Sequence, residues 1–321
     1  MNRHAAAGTY RAPWWLRGGH AQTIFTALTP GAAPAYQRER WQTPDADFID
    51  VDRAGSPSAT HALVIFHGLE GHSHSHYARN FSRAAVTRGW QCLIPHFRGC
   101  SGEPNRLPRA YHSGDGLEID WILRRLRAQL PGVRLHVAAV SLGASATLGW
   151  LADRGRDCAR LVHRVAAISA PLHLAASGRA LEQGLNRIYT RMFLNTMKVR
   201  AAKKLAQFPG LFDANAMRAV RTLHAFDDIF TAPLHGFLNA DDYWARASSG
   251  PRLAHIRVPT LVLNARNDPF LPAAVLDALS PPSDDVQLEF PAEGGHVGFG
   301  DGLFPGQQAW LTDRLFSFYS S

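Results

Sequence analysis

Short apolar runs alternate with helix-spaced apolar positions through the middle of the chain. This alternation predicts a mainly parallel, doubly wound α/β sheet with helices on both faces. Leu63-Val64-Ile65-Phe66 reads as a strand ending at His67-Gly68, and Tyr77–Arg88 as a helix. Gln91-Cys92-Leu93-Ile94 is the next strand, stopped by Pro95. From Asp115 to Leu130, the residues Ile119, Ile122, Leu123, Leu126 and Leu130 fall three or four apart, the spacing of one helix face. Leu135–Val140, Val165–Ile168, Thr260–Leu263 and Val286–Phe290 supply further strands, and Phe304–Tyr319 predicts a closing amphipathic helix.

The stretch between Val165 and Thr260 is too long for an ordinary crossover. Helical patterns at Leu181–Lys198, Ala201–Gln207 and Asn215–His224 predict a cap or lid over about 172–255, inserted into one domain covering 1–321. Such an insertion would lie over the strand ends, where α/β sheets bind ligands. Extra helices packed away from the site are the plainer alternative. Ile188, Met192, Phe193 and Phe212 are candidates for an acyl pocket, and equally for helix core.

Composition narrows the setting. With 321 residues and 46% hydrophobic content the chain can bury a full core. It has no run of the roughly 18 apolar residues needed for a membrane span. Met1–Gly8 carries a positive residue with no apolar segment behind it, so a signal peptide is not expected and a cytoplasmic protein is. Cys92, Cys100 and Cys158 form neither a disulfide framework nor a metal spacing. The net charge of +8 raises nucleic acid as a partner. However, Arg124-Arg125-Leu126-Arg127, Lys198-Val199-Arg200 and Lys203-Lys204 read as solvated helix faces with no nucleic-acid motif beside them. Weak peripheral attraction to anionic lipid fits the charge better. The sequence leaves the oligomeric state open.

The chemistry starts at Ser141. It follows the Leu135–Val140 strand and precedes the small residues Gly143-Ala144-Ser145-Ala146. A strand, a serine and a helix start among small residues make the strained turn called a nucleophile elbow. Ala139 stands where the first glycine of G-x-S-x-G usually does, a departure of one methyl. Taken alone, a serine between small residues is more often a plain helix cap than a nucleophile. Acyl transfer also needs an orienting carboxylate, a base and oxyanion donors. Asp268 lies just past the strand Thr260–Leu263, in Asn267-Asp268-Pro269. Asp227, Asp228, Asp241 and Asp242 belong to the insertion and rank below it. His296 follows the last strand between flexible glycines, Gly294-Gly295-His296-Val297-Gly298. The order serine, acid, histidine is the one this architecture uses.

His67-Gly68-Leu69-Glu70-Gly71 would aim the Leu69 N–H at an oxyanion, with the Leu142 N–H as second donor; His67 and Gly68 would shape the loop. The tract His72-Ser73-His74-Ser75-His76 looks like a metal motif, but no cysteine or carboxylate completes a shell. No metal or organic cofactor is expected.

Assembled, these residues resemble the YheT-like branch of the α/β-hydrolases, also called the AB hydrolase type 4 family, over nearly the whole length. The resemblance is carried by Pro13-Trp14-Trp15-Leu16 with Gly19-His20-Ala21-Gln22-Thr23, by Phe66–Gly71, and by Phe97-Arg98-Gly99-Cys100-Ser101-Gly102. Tyr111-His112-Ser113-Gly114 with Asp120, Phe226-Asp227, Gly236-Phe237 and Asp242-Tyr243 add to it. It implies an α/β-hydrolase fold, a triad at Ser141, Asp268 and His296, and activity on carboxylic esters or lipids. Acyl transfer to an alcohol by the same triad is one alternative, and a non-catalytic binding protein of this fold is another. An epoxide hydrolase or dehalogenase would need a carboxylate at the elbow.

Overall fold

The computed structural model describes residues 10–321, so the Met1–Gly8 stretch lies outside the described residues. Eight strands form one sheet in the order β1-β2-β4-β3-β5-β6-β7-β8. They are β1 (Gln37–Gln42), β2 (Phe48–Ala54), β3 (His61–Phe66), β4 (Gln91–Pro95), β5 (Arg134–Val140), β6 (Arg164–Ile168), β7 (Thr260–Leu263) and β8 (Val286–Glu289). From β3 onward all pairings are parallel, while β1 and β2 add an antiparallel edge.

The central strands are continuous apolar runs because both faces are covered. Ala62, Val64 and Phe66 of β3 and Leu135, Val137 and Ala139 of β5 enter one core layer; Leu63, Ile65, Ala138 and Val140 enter the other. The helices α2 (His76–Thr87), α3 (Gly116–Gln129) and α4 (Leu142–Arg154) cover them, and α1 (Gly19–Leu28) packs against α2. Ile119, Ile122, Leu123 and Leu126 of α3 share the first layer with α4. Phe81 and Ala85 of α2 pack in the second.

The edge strand β1 escapes an apolar reading because it is held to β2 by charge. Arg38 and Arg40 sit directly opposite Asp52 and Asp50, with bidentate contacts at 2.7–2.9 Å. Only Trp41 of β1 is buried, stacked edge-on against Trp121.

Between β6 and β7 the chain is helical. It contains α5 (Leu174–Leu181), α6 (Asn186–Gln207), α7 (Ala214–Ala219), α8 (Leu223–Phe226), α9 (Ala232–Leu234) and α10 (Ala240–Ala247). The two helices expected at 181–198 and 201–207 are one 22-residue helix, since nothing between Lys198 and Ala201 breaks it. The helix expected over 215–224 instead ends at Ala219. Val220 turns extended and Thr222 caps α8 by accepting from the Ala225 N–H. After β7 come α11 (Ala273–Asp277) and, past β8, α12 (Trp310–Ser320). The closing helix starts six residues later than the pattern predicts. Pro305 and Gly306 (φ +88°) build a turn there, and Asp301 pairs with Gln307 in an isolated bridge. Among the described residues no helix is long and apolar enough to cross a membrane.

Candidate active site

Ser141 sits between β5 and α4 with φ +53° and ψ −119°, a conformation that L-residues adopt only under constraint. Its N–H donates to the Ile168 carbonyl at 2.9 Å, and its carbonyl accepts from the Ser145 N–H at 3.0 Å. The turn fits only because Gly143 has no side chain. A Cβ there would lie 2.5 Å from the His67 carbonyl oxygen and 2.7 Å from that of Phe66. Ala139, by contrast, is buried in register between Phe66 and Ala167, and its methyl is accommodated.

His296 Nε2 lies 2.9 Å from Ser141 Oγ, and its Nδ1 lies 3.0 Å from Asp268 Oδ2. A carboxylate accepts, so the Nδ1–H faces Asp268 and Nε2 is left to accept the serine proton. The other Asp268 oxygen accepts from the Phe270 N–H at 2.8 Å. Phe270 also stacks on the imidazole, with ring centroids 4.1 Å apart. The histidine loop is gripped from outside the sheet. The His296 N–H donates to Thr23 Oγ1 at 2.8 Å, the Gly300 N–H to Gln22 Oε1 at 2.7 Å, and the Val297 N–H to Ser169 Oγ at 2.9 Å. A Cβ on Gly19 would overlap the Asn267 carbonyl oxygen. Helix α1 therefore touches the acid turn as well as the histidine loop.

The loop after β3 is pinned on both sides of Leu69. His67 is fully buried. Its Nε2 accepts from the Phe97 N–H at 3.0 Å, so the proton is on Nδ1, which donates to the Gly68 carbonyl at 2.8 Å. Burial pushes its pKa down to about 3, which keeps the ring neutral. The Gly68 N–H donates to Tyr77 Oη at 2.9 Å, and the Glu70 N–H (φ +57°) to Tyr111 Oη at 2.8 Å. Leu69 lies between these anchors and lines the same cavity as Ser141. Leu142 opens α4, where the first-turn N–H groups lack helical acceptors.

Ser141, His296, Leu69 and Leu142 line a cavity of about 770 Å³. Leu174 and Leu181 of α5, Phe193 and Met197 of α6, and Phe226 and Phe230 form much of its apolar wall. Tyr111 and Arg200 mark a more polar side, where Arg200 contacts Glu70 at 3.1 Å and Cys100 Sγ at 2.7 Å.

Residues 61–303 match the family model of the α/β-hydrolase fold. The chain belongs to the α/β-hydrolase family, in its YheT-like branch. It is 39% identical to "Putative esterase YheT" of Escherichia coli, over 86% of this chain and 82% of that one. With human "Phospholipase ABHD3" it shares 26% identity over 96% of this chain and 77% of that one. The Pyrococcus furiosus esterase Pf2001 has the same fold, with a TM-score of 0.56 at 16% identity, covering 89% of this chain and 91% of that one.

Some residues of this hydrolase sit where the sequence reading did not put them. Of the acyl-pocket candidates only Phe193 borders the cavity. Ile188 and Met192 are more than half exposed, and Phe212 packs edge-on against Phe230 in the core of the insertion. Arg200 and Lys204 are not on a solvated face. Arg200 reaches Glu70, and Lys204 is buried, donating to the Leu107 carbonyl at 2.7 Å. The histidine tract is divided: His72 and His74 are exposed, whereas His76 is only partly exposed and packs edge-on against Tyr77.

The motifs of the resemblance that carried no chemistry prove to be supports. Buried Arg98 bridges Glu118 at 2.9 Å, Asp45 at 2.8 Å and Asp47 at 3.2 Å, tying β4 to α3 and the edge hairpin. Asp120 accepts from Trp150 Nε1 at 2.9 Å. Tyr243 Oη accepts from the Ser113 N–H at 2.8 Å, joining α10 to the 111–114 segment. Thr23, Ser169 and Phe270 were missed as parts of the site. The only signal for Thr23 was its place in the Gly19–Thr23 signature.

Proposed function

We propose that the protein is a carboxylic ester hydrolase acting on acyl esters or lipids through Ser141, with His296 as base and Asp268 as its orienting acid. One observation carries this reading: a hydroxyl, an imidazole and a carboxylate stand in a hydrogen-bonded row at the wall of a largely apolar cavity. The esterase and phospholipase names of its relatives support the same class.

As Ser141 Oγ attacks the ester carbonyl, His296 Nε2 takes its proton, and Asp268 stabilises the imidazolium. The N–H groups of Leu69 and Leu142 receive the oxyanion, each worth roughly 3 kcal/mol if typical of such donors. His296 then protonates the leaving alcohol. A water that gives its proton to His296 attacks the acyl-enzyme, and the acid leaves with Ser141 restored. The protein's own groups supply every proton transfer in this cycle.

The test combines a fluorophosphonate probe with turnover of p-nitrophenyl esters of increasing chain length. The expected result is labelling at Ser141, together with a loss of about three orders of magnitude in turnover for Ser141→Ala without loss of folding. Turnover unchanged in that variant would remove Ser141 from the mechanism. An unlabelled, inactive but folded parent would instead favour a binding protein. Ethyl ester formed when ethanol is added would mark transfer to an alcohol.

A further inference from the structure

Helix α6 has two unlike sides. Thr190, Leu194, Met197 and Ala201 are buried beneath it, while Leu185, Ile188, Met192 and Val199 stand exposed on the other side. Exposed apolar residues at helical spacing are costly in water and mark a surface with a partner. Over its 22 residues α6 carries Arg187, Arg191, Lys198, Arg200, Lys203 and Lys204 and no carboxylate. Arg187, Arg191 and Lys203 are also exposed; Lys203 lies in line with the apolar stripe and the two arginines flank it.

The apolar surface continues onto α1. His20 Nδ1 lies 3.2 Å from Tyr189 Oη, and the two rings stack with an interplanar angle of 4°. Four and eight residues beyond His20, on the same face of α1, Ile24 and Leu28 are exposed. Trp15 packs edge-on against both Phe25 and Phe304, which brings Phe304, itself 78% exposed, to this rim. At the far end of the α6 stripe, the exposed residues Asn195, Thr196, Val199 and Lys203 line the cavity. The stripe therefore runs to the mouth of the pocket that holds Ser141.

We propose that this face, the outer side of α6 with Ile24, Leu28 and Phe304, seats the enzyme on an anionic lipid bilayer and opens its cavity toward the acyl-chain layer. Its makeup is that of an interfacial surface, with aliphatic and aromatic groups to enter the headgroup boundary and arginines to meet anionic headgroups. A protein partner of matching charge would need complementary carboxylates but no route to the cavity. The inference extends the lipid side of the proposed activity, but seating is read without turnover, so the two can fail separately.

The experiment is co-sedimentation with phosphatidylcholine vesicles, with and without phosphatidylglycerol. Parent protein is compared with Ile188→Asp/Met192→Asp and Arg187→Glu/Arg191→Glu. Binding to the anionic vesicles that weakens with salt is expected, and each double variant should lose about tenfold or more in partitioning. None of the four residues borders the cavity, so hydrolysis of a soluble short-chain ester should stay at the parent rate in both variants, which also reports folding. Absence of vesicle binding by the parent, or binding that neither variant weakens, overturns the proposal. So does a parent that sediments as a dimer in solution while the Asp variant is a monomer, because that face would then be covered by a second copy.

Discussion

Thr23→Val tests whether α1 is part of the catalytic apparatus. The substitution is close to isosteric, leaves no cavity and removes one oxygen. That oxygen donates to the Gly19 carbonyl at 2.7 Å and accepts the His296 N–H at 2.8 Å. Gly295 packs so closely that a Cβ there would fall 2.6 Å from Thr23 Oγ1, so water has no room to replace the hydroxyl. Stranding a buried N–H costs about 1–3 kcal/mol. Borne wholly by the transition state, that corresponds to about 5- to 150-fold in rate. The loop can relieve part of it by moving, which lowers stability and shifts the imidazole relative to Ser141. We expect kcat on a short-chain p-nitrophenyl ester to fall about tenfold and fluorophosphonate labelling to slow alongside it. KM should hold, because Thr23 does not border the cavity. Thr23→Ser, which keeps the oxygen, should recover most of the loss; a purely packing role would be rescued by valine instead. Parent-like kcat and labelling rate in Thr23→Val, with an unchanged melting temperature, would refute the argument.

Two further outcomes follow from the geometry. Gly143→Ala places a methyl against two backbone carbonyls that cannot move independently of β3, so α4 must shift. We expect a loss of about 1–3 kcal/mol in stability by denaturant melt and about a hundredfold in turnover, and a variant as active as the parent would contradict the close approach of α4 to β3. Burial pushes the Asp227 carboxyl up to about 6, only partly offset by hydrogen bonds from Thr231 and Trp244. A raised acid binds protons more readily folded than unfolded, so the stability it contributes is present below the unfolded pKa and lost as pH rises through about 6. Asp227→Asn removes that dependence. Its stability relative to the parent should grow by roughly 1–3 kcal/mol between about pH 4.5 and 7, and a pH-independent difference would show the carboxyl titrating normally.

What the sequence revealed follows from where each element is buried. β3, β5, β6 and β7 are covered on both faces, so their composition alone marks them as strands. β1 could not be read that way, since its register is set by arginine–aspartate pairs with β2 and its side chains are mostly exposed. Ser141 and Asp268 follow β5 and β7 of that legible set and His296 follows the edge strand β8, and strand-end position was the clue to all three. The groups that hold them lay outside that logic. Thr23 acts from a helix more than 270 residues away along the chain, and Ser169 works through a left-handed turn at φ +50° that no composition announces. The solvent-facing side of α6 misled the pocket assignment because a helix with apolar groups on both sides carries no phase information.

The helices between β6 and β7 bear on how a substrate reaches Ser141. They are tied to the body around the cavity by bonds from different elements. Asn186 Nδ2 donates to the Pro269 carbonyl at 2.6 Å, Ser113 N–H to Tyr243 Oη at 2.8 Å, and Lys204 Nζ to the Leu107 carbonyl at 2.7 Å. His235 Nε2 bonds the Ala110 carbonyl at 2.8 Å, and Arg200 pairs with Glu70. At about 1 kcal/mol for each neutral bond and more for charged ones, lifting the whole layer would cost on the order of 5 kcal/mol or more. Such an open state would hold only about 10⁻⁴ of the molecules. Turnover through it would be slow, whereas the existing mouth beside Val199 and Lys203 needs no such opening. The bonded layer therefore walls the cavity, and the mouth beside Val199 and Lys203 is open without lifting it.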